Sequence, residues 1–164
     1  MKKLFIFLMG IAVAMSAFGG GQNEGTAAAE LPTLTVLNGT EPPSLDSSLM
    51  SDTTSSRIHQ SLFERLIGYH PETNLGEPGV AESWTMNTDG SVYTFKLRKS
   101  NWSDGVPINA QTVVDSWLRT LDPATGSSYA WMMNMVVAGA SEYNSGDAGP
   151  DAVKIKAVDD YTFQ

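Results

Sequence analysis

The chain has 164 residues and carries 10 Lys and Arg against 18 Asp and Glu, a formal net charge of −8. Such an acidic balance repels phosphate backbones and anionic lipid, and it argues against nucleic-acid binding. There is no cysteine, so disulfides and thiolate metal sites are excluded and an exported form must be held by its core.

Lys2 and Lys3 precede an apolar stretch, Leu4 to Phe18, and small residues follow at Gly19 to Gly21. Charge, apolar run and small residues in that order read as a secretory signal peptide over residues 1–18. The run of about 15 residues is shorter than the roughly 18–20 that a membrane span needs. No cysteine stands after it to carry a lipid, so the expected location is periplasmic or cell-surface without a lipid anchor. Residues 19–33, rich in Gly, Ala and Thr, read as a flexible linker. Residues 34–164 remain for a domain with its own core.

Leu34 to Leu37 is a short β-type run ended by Asn38-Gly39, a turn signal. Pro42 and Pro43 favour an extended course. A helix is predicted from a cap at Thr53 or Thr54 to about Leu66, burying Ile58, Leu62 and Leu66 on one face. Val80 to Met86 reads as a strand, Asn87 to Gly90 as a turn, and Tyr93 to Leu97 as an alternating strand, together a β-hairpin. Trp102-Ser103-Asp104-Gly105 is a second turn, after which Pro107 is expected to end pairing. Asn109 caps a predicted helix with Val113, Val114, Trp117, Leu118 and Leu121 on one stripe, stopped by Pro123. Further helices are expected at Ser128 to Val137 and near Ser141 to Asn144. The last segment alternates Val153, Ile155 and Ala157 against Lys154 and Lys156, then restarts as a strand at Tyr161. Ending in mid-strand, the domain reads as cut short.

Chemistry-bearing patterns are sparse. His59 and His70 show no zinc-site spacing and read as exposed or core-satisfied side chains. There is no G-x-S-x-G elbow and no arrangement that would activate a nucleophile, which weighs against an exported hydrolase. Met132, Met133 and Met135 beside Tyr129 and Trp131 suit either an adaptable ligand surface or core packing, and helical periodicity favours the core.

Several stretches in order carry more than any single motif: NGTEPPSLD (38–46), HQSLFERLIGY (59–69), PGVAESW (78–84), YTFKLRKSNWSDGVPI (93–108), VVDSWLRTLDPATGSSYAW (113–131) and VKIKAVDDYTF (153–163). Together they resemble the N-terminal third of the oligopeptide-binding proteins, in the extracytoplasmic solute-binding family of peptide and nickel ABC importers. That resemblance implies an α/β fold of the periplasmic-binding-protein type II kind. The family has a two-lobed clamp, of which residues 34–164 would be the incomplete N-terminal portion, with a mixed sheet, a hairpin and packing helices. It implies a monomeric, non-enzymatic receptor without cofactor or metal, which captures oligopeptides and delivers them to ABC permease subunits. Nickel, haem or sugar is the alternative solute, and a module with no ligand-binding activity of its own is a further alternative. By the same resemblance Ser51, Asp52 and Thr53 offer main-chain partners to an extended peptide, Tyr129 contacts the ligand, and the Trp102 turn is scaffold.

Overall fold

The computed structural model describes residues 33–164, and the compact unit runs from Leu37 to Gln164. The expected signal peptide and nearly all of the linker lie outside the described residues. Helix α1 spans Thr53–Leu62, and strands β1 (Ile67–Tyr69) and β2 (Gly76–Pro78) form an antiparallel ribbon. Strand β3 (Ala81–Met86) pairs with β4 (Tyr93–Leu97), and β5 (Ser100–Asn101) with β6 (Pro107–Ile108). Three helices follow: α2 (Ala110–Leu121), α3 (Ala130–Asn134) and α4 (Ala140–Asn144). A single 3-10 turn, Pro150–Ala152, precedes β7 (Ala157–Asp159) and β8 (Thr162–Phe163). The principal sheet is antiparallel in the order β3-β4-β8-β7.

The sheet and α2 meet because their periodicities match. Leu97 of β4, Phe163 of β8, and Ala110 and Val114 of α2 are buried together, with Trp117, Phe95 and Tyr161 packed around them. The Trp117 ring meets Phe163 edge-on at 5.1 Å, and Phe95 lies 5.7 Å from Phe163. A second cluster joins Leu121 at the end of α2 to Ala130, Ala140 and Val153. The two clusters use opposite ends of one apolar stripe, so α2 is the spine of the unit.

The cap of α2 follows its sequence. Asn109 Oδ1 accepts from the Thr112 N–H at 3.0 Å, and Thr112 Oγ1 accepts from the Asn109 N–H at 3.3 Å. Asn109→Ala removes a partner from a helix-end donor and is expected to cost about 1 kcal/mol. The check is a lower urea midpoint with an unchanged denaturant slope, and a midpoint equal to wild type would count against the cap.

Several expectations are corrected. Leu34 to Leu37 forms no strand; its side chains are exposed, and it finds no pairing partner among the described residues. A β-prone run without a neighbouring ladder has nothing to stabilise it. The cap of α1 is Asp52 rather than Thr53 or Thr54. The helix stops at Leu62, not Leu66, because the Arg65 and Leu66 carbonyls accept from the N–H groups of Val80 and Ala81, both at 2.9 Å. That pairing wins over further helical turns, and the expected buried face is not formed: Leu62 is 66% exposed and only Ser55 of the helix is buried.

Pro107 does not end pairing but lies in β6 opposite Asn101. Its missing N–H is tolerable in so short a ribbon. Helix α3 is shorter than Ser128 to Val137, since the Val136 N–H turns to the Met133 carbonyl at 3.1 Å and tightens the last turn. Val153 and Ile155 precede β7 instead of belonging to it, although Val153 is still buried in the second cluster.

Candidate functional site

The segment leading into α1 is organised by two carboxylates. Asp46 receives both terminal nitrogens of Arg119, Nη1 to Oδ1 at 2.7 Å and Nη2 to Oδ2 at 2.6 Å. Its Oδ1 also accepts from the Ser48 N–H at 3.0 Å, and its carbonyl from the N–H groups of Leu49 and Met50. Ser48 is buried, with its hydroxyl 3.0 Å from Thr120 Oγ1. Thr120 already donates to the Ser116 carbonyl, so Ser48 is the donor in that pair. Beyond Met50, Asp52 accepts from the Ser55 N–H at 2.9 Å and the Ser55 hydroxyl at 2.7 Å. Asn38 Nδ2 donates to the Thr54 carbonyl at 3.1 Å.

Ser51 sits between these anchors. Its side chain is exposed, and neither its N–H nor its carbonyl bonds to the main or side chains of the described residues. A main chain held on both sides with unspent donors and acceptors is suited to pairing with an extended backbone. Thr53 is exposed at the first position of α1, whereas the Asp52 carboxylate is committed to its cap.

The Asp46 carboxyl is lowered to about 2, chiefly by the hydrogen bonds from Arg119 and then by the Ser48 N–H. A depressed carboxyl contributes its stabilisation above its ordinary range, and the contribution is lost as pH falls through the lowered value. The Arg119 pair should therefore persist at pH 4 and open only as pH approaches about 2. A carboxyl chemical-shift titration by NMR checks this, and a midpoint near the ordinary 3.8 would refute the pairing in solution.

Tyr129 stands at the N-terminus of α3, 45% exposed, with the Trp131 ring 6.3 Å away. Met132, Met135 and Val136 are exposed on the same short helix and its exit, whereas Met133 packs into the second cluster. The core reading of the three methionines therefore holds for Met133 alone. Tyr129 and the Ser51 segment share a base without touching through a hydrogen bond or ring contact: Arg119 and Thr120 lie on the last turn of α2, and Leu121 packs on Ala130.

An open cleft of about 840 Å³ lies elsewhere, between the end of α1 and α2, walled by Leu62, Phe63, Leu66, Trp102 and Trp117. None of the four predicted site residues lines it. The Trp102 turn closes through the Gly105 N–H to the Trp102 carbonyl at 2.9 Å and the Val106 N–H to Asp104 Oδ1 at 2.9 Å. Its Trp102 ring meets Phe63 edge-on at 6.4 Å.

Neither histidine joins a metal cluster, and among the described residues no group of three or more His, Cys, Asp or Glu could hold an ion. His59 stacks on Phe63 at 4.4 Å, and burial followed by the nearby Arg65 charge lowers its basicity. His70 Nδ1 accepts from the N–H groups of Glu72 and Thr73 in the β1–β2 turn. No helix among the described residues is long and apolar enough to cross a membrane. The anchoring residues Asp46, Ser48, Arg119 and Thr120 escape sequence reasoning because their pairing spans more than 70 positions.

Residues 76–164 match the family described as "Bacterial extracellular solute-binding proteins, family 5 Middle". The chain is similar to the periplasmic oligopeptide-binding protein OppA of Escherichia coli K12, 41% identical over 85% of this chain and 26% of that protein. The OppA of Haemophilus influenzae is 34% identical over 98% of this chain and 30% of its own length. The chain thus spans less than a third of these relatives.

Among solved structures, a periplasmic oligopeptide-binding protein of Borrelia burgdorferi superposes with a TM-score of 0.72 at 43% identity, covering 76% of this chain and 25% of that one. Haemophilus influenzae OppA in complex with RPPGFSPFR gives 0.72 at 36% identity, covering 77% and 25%. The α/β unit is thus part of the type II periplasmic-binding-protein fold that the resemblance implies. The chain belongs to the bacterial extracellular solute-binding proteins, family 5.

Proposed function

We propose that this chain is part of an extracytoplasmic oligopeptide receptor that captures peptides for an ABC importer. It carries no catalytic step and delivers its ligand to permease subunits of the membrane. The observation that carries this reading is the main chain at Ser51, an exposed residue with no backbone hydrogen-bond partner among the described residues, between the Asp46 and Asp52 anchors in the segment expected to meet the peptide. Main-chain pairing tolerates any side-chain sequence, which is the requirement of a peptide scavenger. Tyr129, exposed at the start of α3, supplies an aromatic face with a polar tip. Residues 1–18 act as the signal peptide that exports the chain, and residues 19–33 as a linker to the solute-binding domain.

The test uses the product of the complete reading frame, mixed with tri- to pentapeptide pools and followed by thermal unfolding. Ligand at a hundred times its Kd is expected to stabilise by about 2.7 kcal/mol. No shift with any peptide pool, together with a shift from nickel, haem or sugar, would replace the peptide by that solute. No shift with any of them would overturn the receptor reading.

A further inference from the structure

The loop from Asp46 to Met50 has little apolar burial to hold it. Leu45 and Leu49 are 51% and 40% exposed, Met50 is half-buried, and Ser48 is the only fully buried side chain of the stretch. Its position relative to α2 therefore rests on polar bonds: the two-pronged Arg119–Asp46 pair and the Ser48–Thr120 hydroxyl contact. Both end on consecutive residues of the last helical turn, whose next residue, Leu121, is fully buried. Bidentate guanidinium–carboxylate geometry fixes orientation as well as distance, which a single hydroxyl contact does not. Asp46 additionally folds its own turn, through its carbonyl to Leu49 and Met50 and its carboxylate to Ser48.

We propose that Asp46 and Arg119 form a clasp that sets the Ser51 main chain in its peptide-ready position, so that both are positioning residues for ligand capture. This rests on the peptide-receptor reading above. Neither residue need touch the ligand. With the clasp open, Ser51 would still follow the rigid Asp52 cap but would lose its fixed partner on the other side. The segment would then sample several positions, and the apparent Kd would rise in proportion to the fraction of molecules left competent. Such a defect slows association and leaves dissociation nearly unchanged, because the bound state keeps its contacts.

The experiment compares wild type, Asp46→Asn, Arg119→Met and the exchanged pair Asp46→Arg with Arg119→Asp, each as the product of the complete reading frame. The probe is tri- to penta-alanine, with rates from stopped-flow fluorescence and amide exchange measured over residues 48–50 of the free protein, whose N–H groups bond to Asp46. Each single variant is expected to weaken binding about tenfold, the consequence of a competent fraction near one tenth. The loss should fall on the association rate, with faster amide exchange, and the exchanged pair should recover part of it.

Wild-type affinity in both single variants, or unchanged exchange over residues 48–50, would overturn the clasp while leaving the receptor reading intact. A loss carried by the dissociation rate would also overturn it, since the residues would then be direct contacts. A folded wild type that binds none of the alanine peptides would overturn the clasp's role as tested, and the receptor reading would fall with it only if the mixed peptide pools and the alternative solutes also gave no thermal shift.

Discussion

Phe163→Ala is expected to lower the unfolding free energy by about 3–5 kcal/mol, the range for deleting a fully buried aromatic side chain. Phe163 is 1% exposed, the largest fully buried side chain among the described residues. It pairs with Phe95 on one side and Ala157 on the other, so its ring lies where β4, β7 and β8 meet α2. Removing it vacates the space against which Trp117 and Phe95 pack, and a backbone fixed by ladders on both sides relaxes little into it. With total stabilities of about 5–15 kcal/mol, such a loss would leave a marginal fold. Urea unfolding measures it, and Tyr93→Ala serves as the comparison. Tyr93 stacks on Phe95 at 6.3 Å but is 47% exposed, so its loss should cost about 1 kcal/mol. Equal costs for the two would show that β8 does not close the core.

What was legible in the sequence and what was not follow one physical division. The β3–β4 hairpin, the Asn109 cap and the apolar stripe of α2 are written locally, in a turn tetrapeptide, a capping pair and a helical period. Each was recoverable, and each positions a core residue. Local pattern gives way where a distant backbone competes with it. Leu66 continues the helical pattern of α1, yet its carbonyl is taken by Ala81. Leu34 to Leu37 has β-type residues but no partner among the described residues.

The candidate site shows the same split. Ser51 to Thr53 and Tyr129 could be nominated only by resemblance, and the structure adds their geometry: Ser51, Thr53 and Tyr129 exposed, Asp52 spent on a cap. Asp46 and Arg119 each look like an ordinary surface charge. Only the fold makes them partners.

Gly139→Ala should be nearly as costly as the loss of Phe163, for a reason unconnected with apolar area. Gly139 has φ +77°, a left-handed conformation that costs an L-residue about 1–2 kcal/mol. A Cβ there would also stand 2.0 Å from the Ala152 carbonyl oxygen. That oxygen belongs to a backbone held in register by the Lys154 N–H donating to the Ala138 carbonyl at 2.8 Å, so it cannot swing aside as a flexible side chain would. Forcing the two segments apart adds an overpacking cost of about 1–3 kcal/mol, for a total of about 2–5 kcal/mol.

Gly126→Ala separates the two contributions. Gly126 has φ +66° but open space where its Cβ would stand, so it should show the conformational cost alone, about 1–2 kcal/mol. Similar losses at both positions, measured by urea unfolding, would show that Ala152 yields and that the close approach is unimportant. The damage at Gly139 should also be local before it is global. It separates α4 from the Val153 segment and so loosens the cluster on which α3 rests. Amide exchange should rise first around Tyr129, while the Leu49 and Met50 amides, beside the Asp46–Arg119 pair, stay protected. If exchange rose equally in both places, the last turn of α2 and the second cluster would open as one unit, and the two halves of the candidate site would stand or fall together.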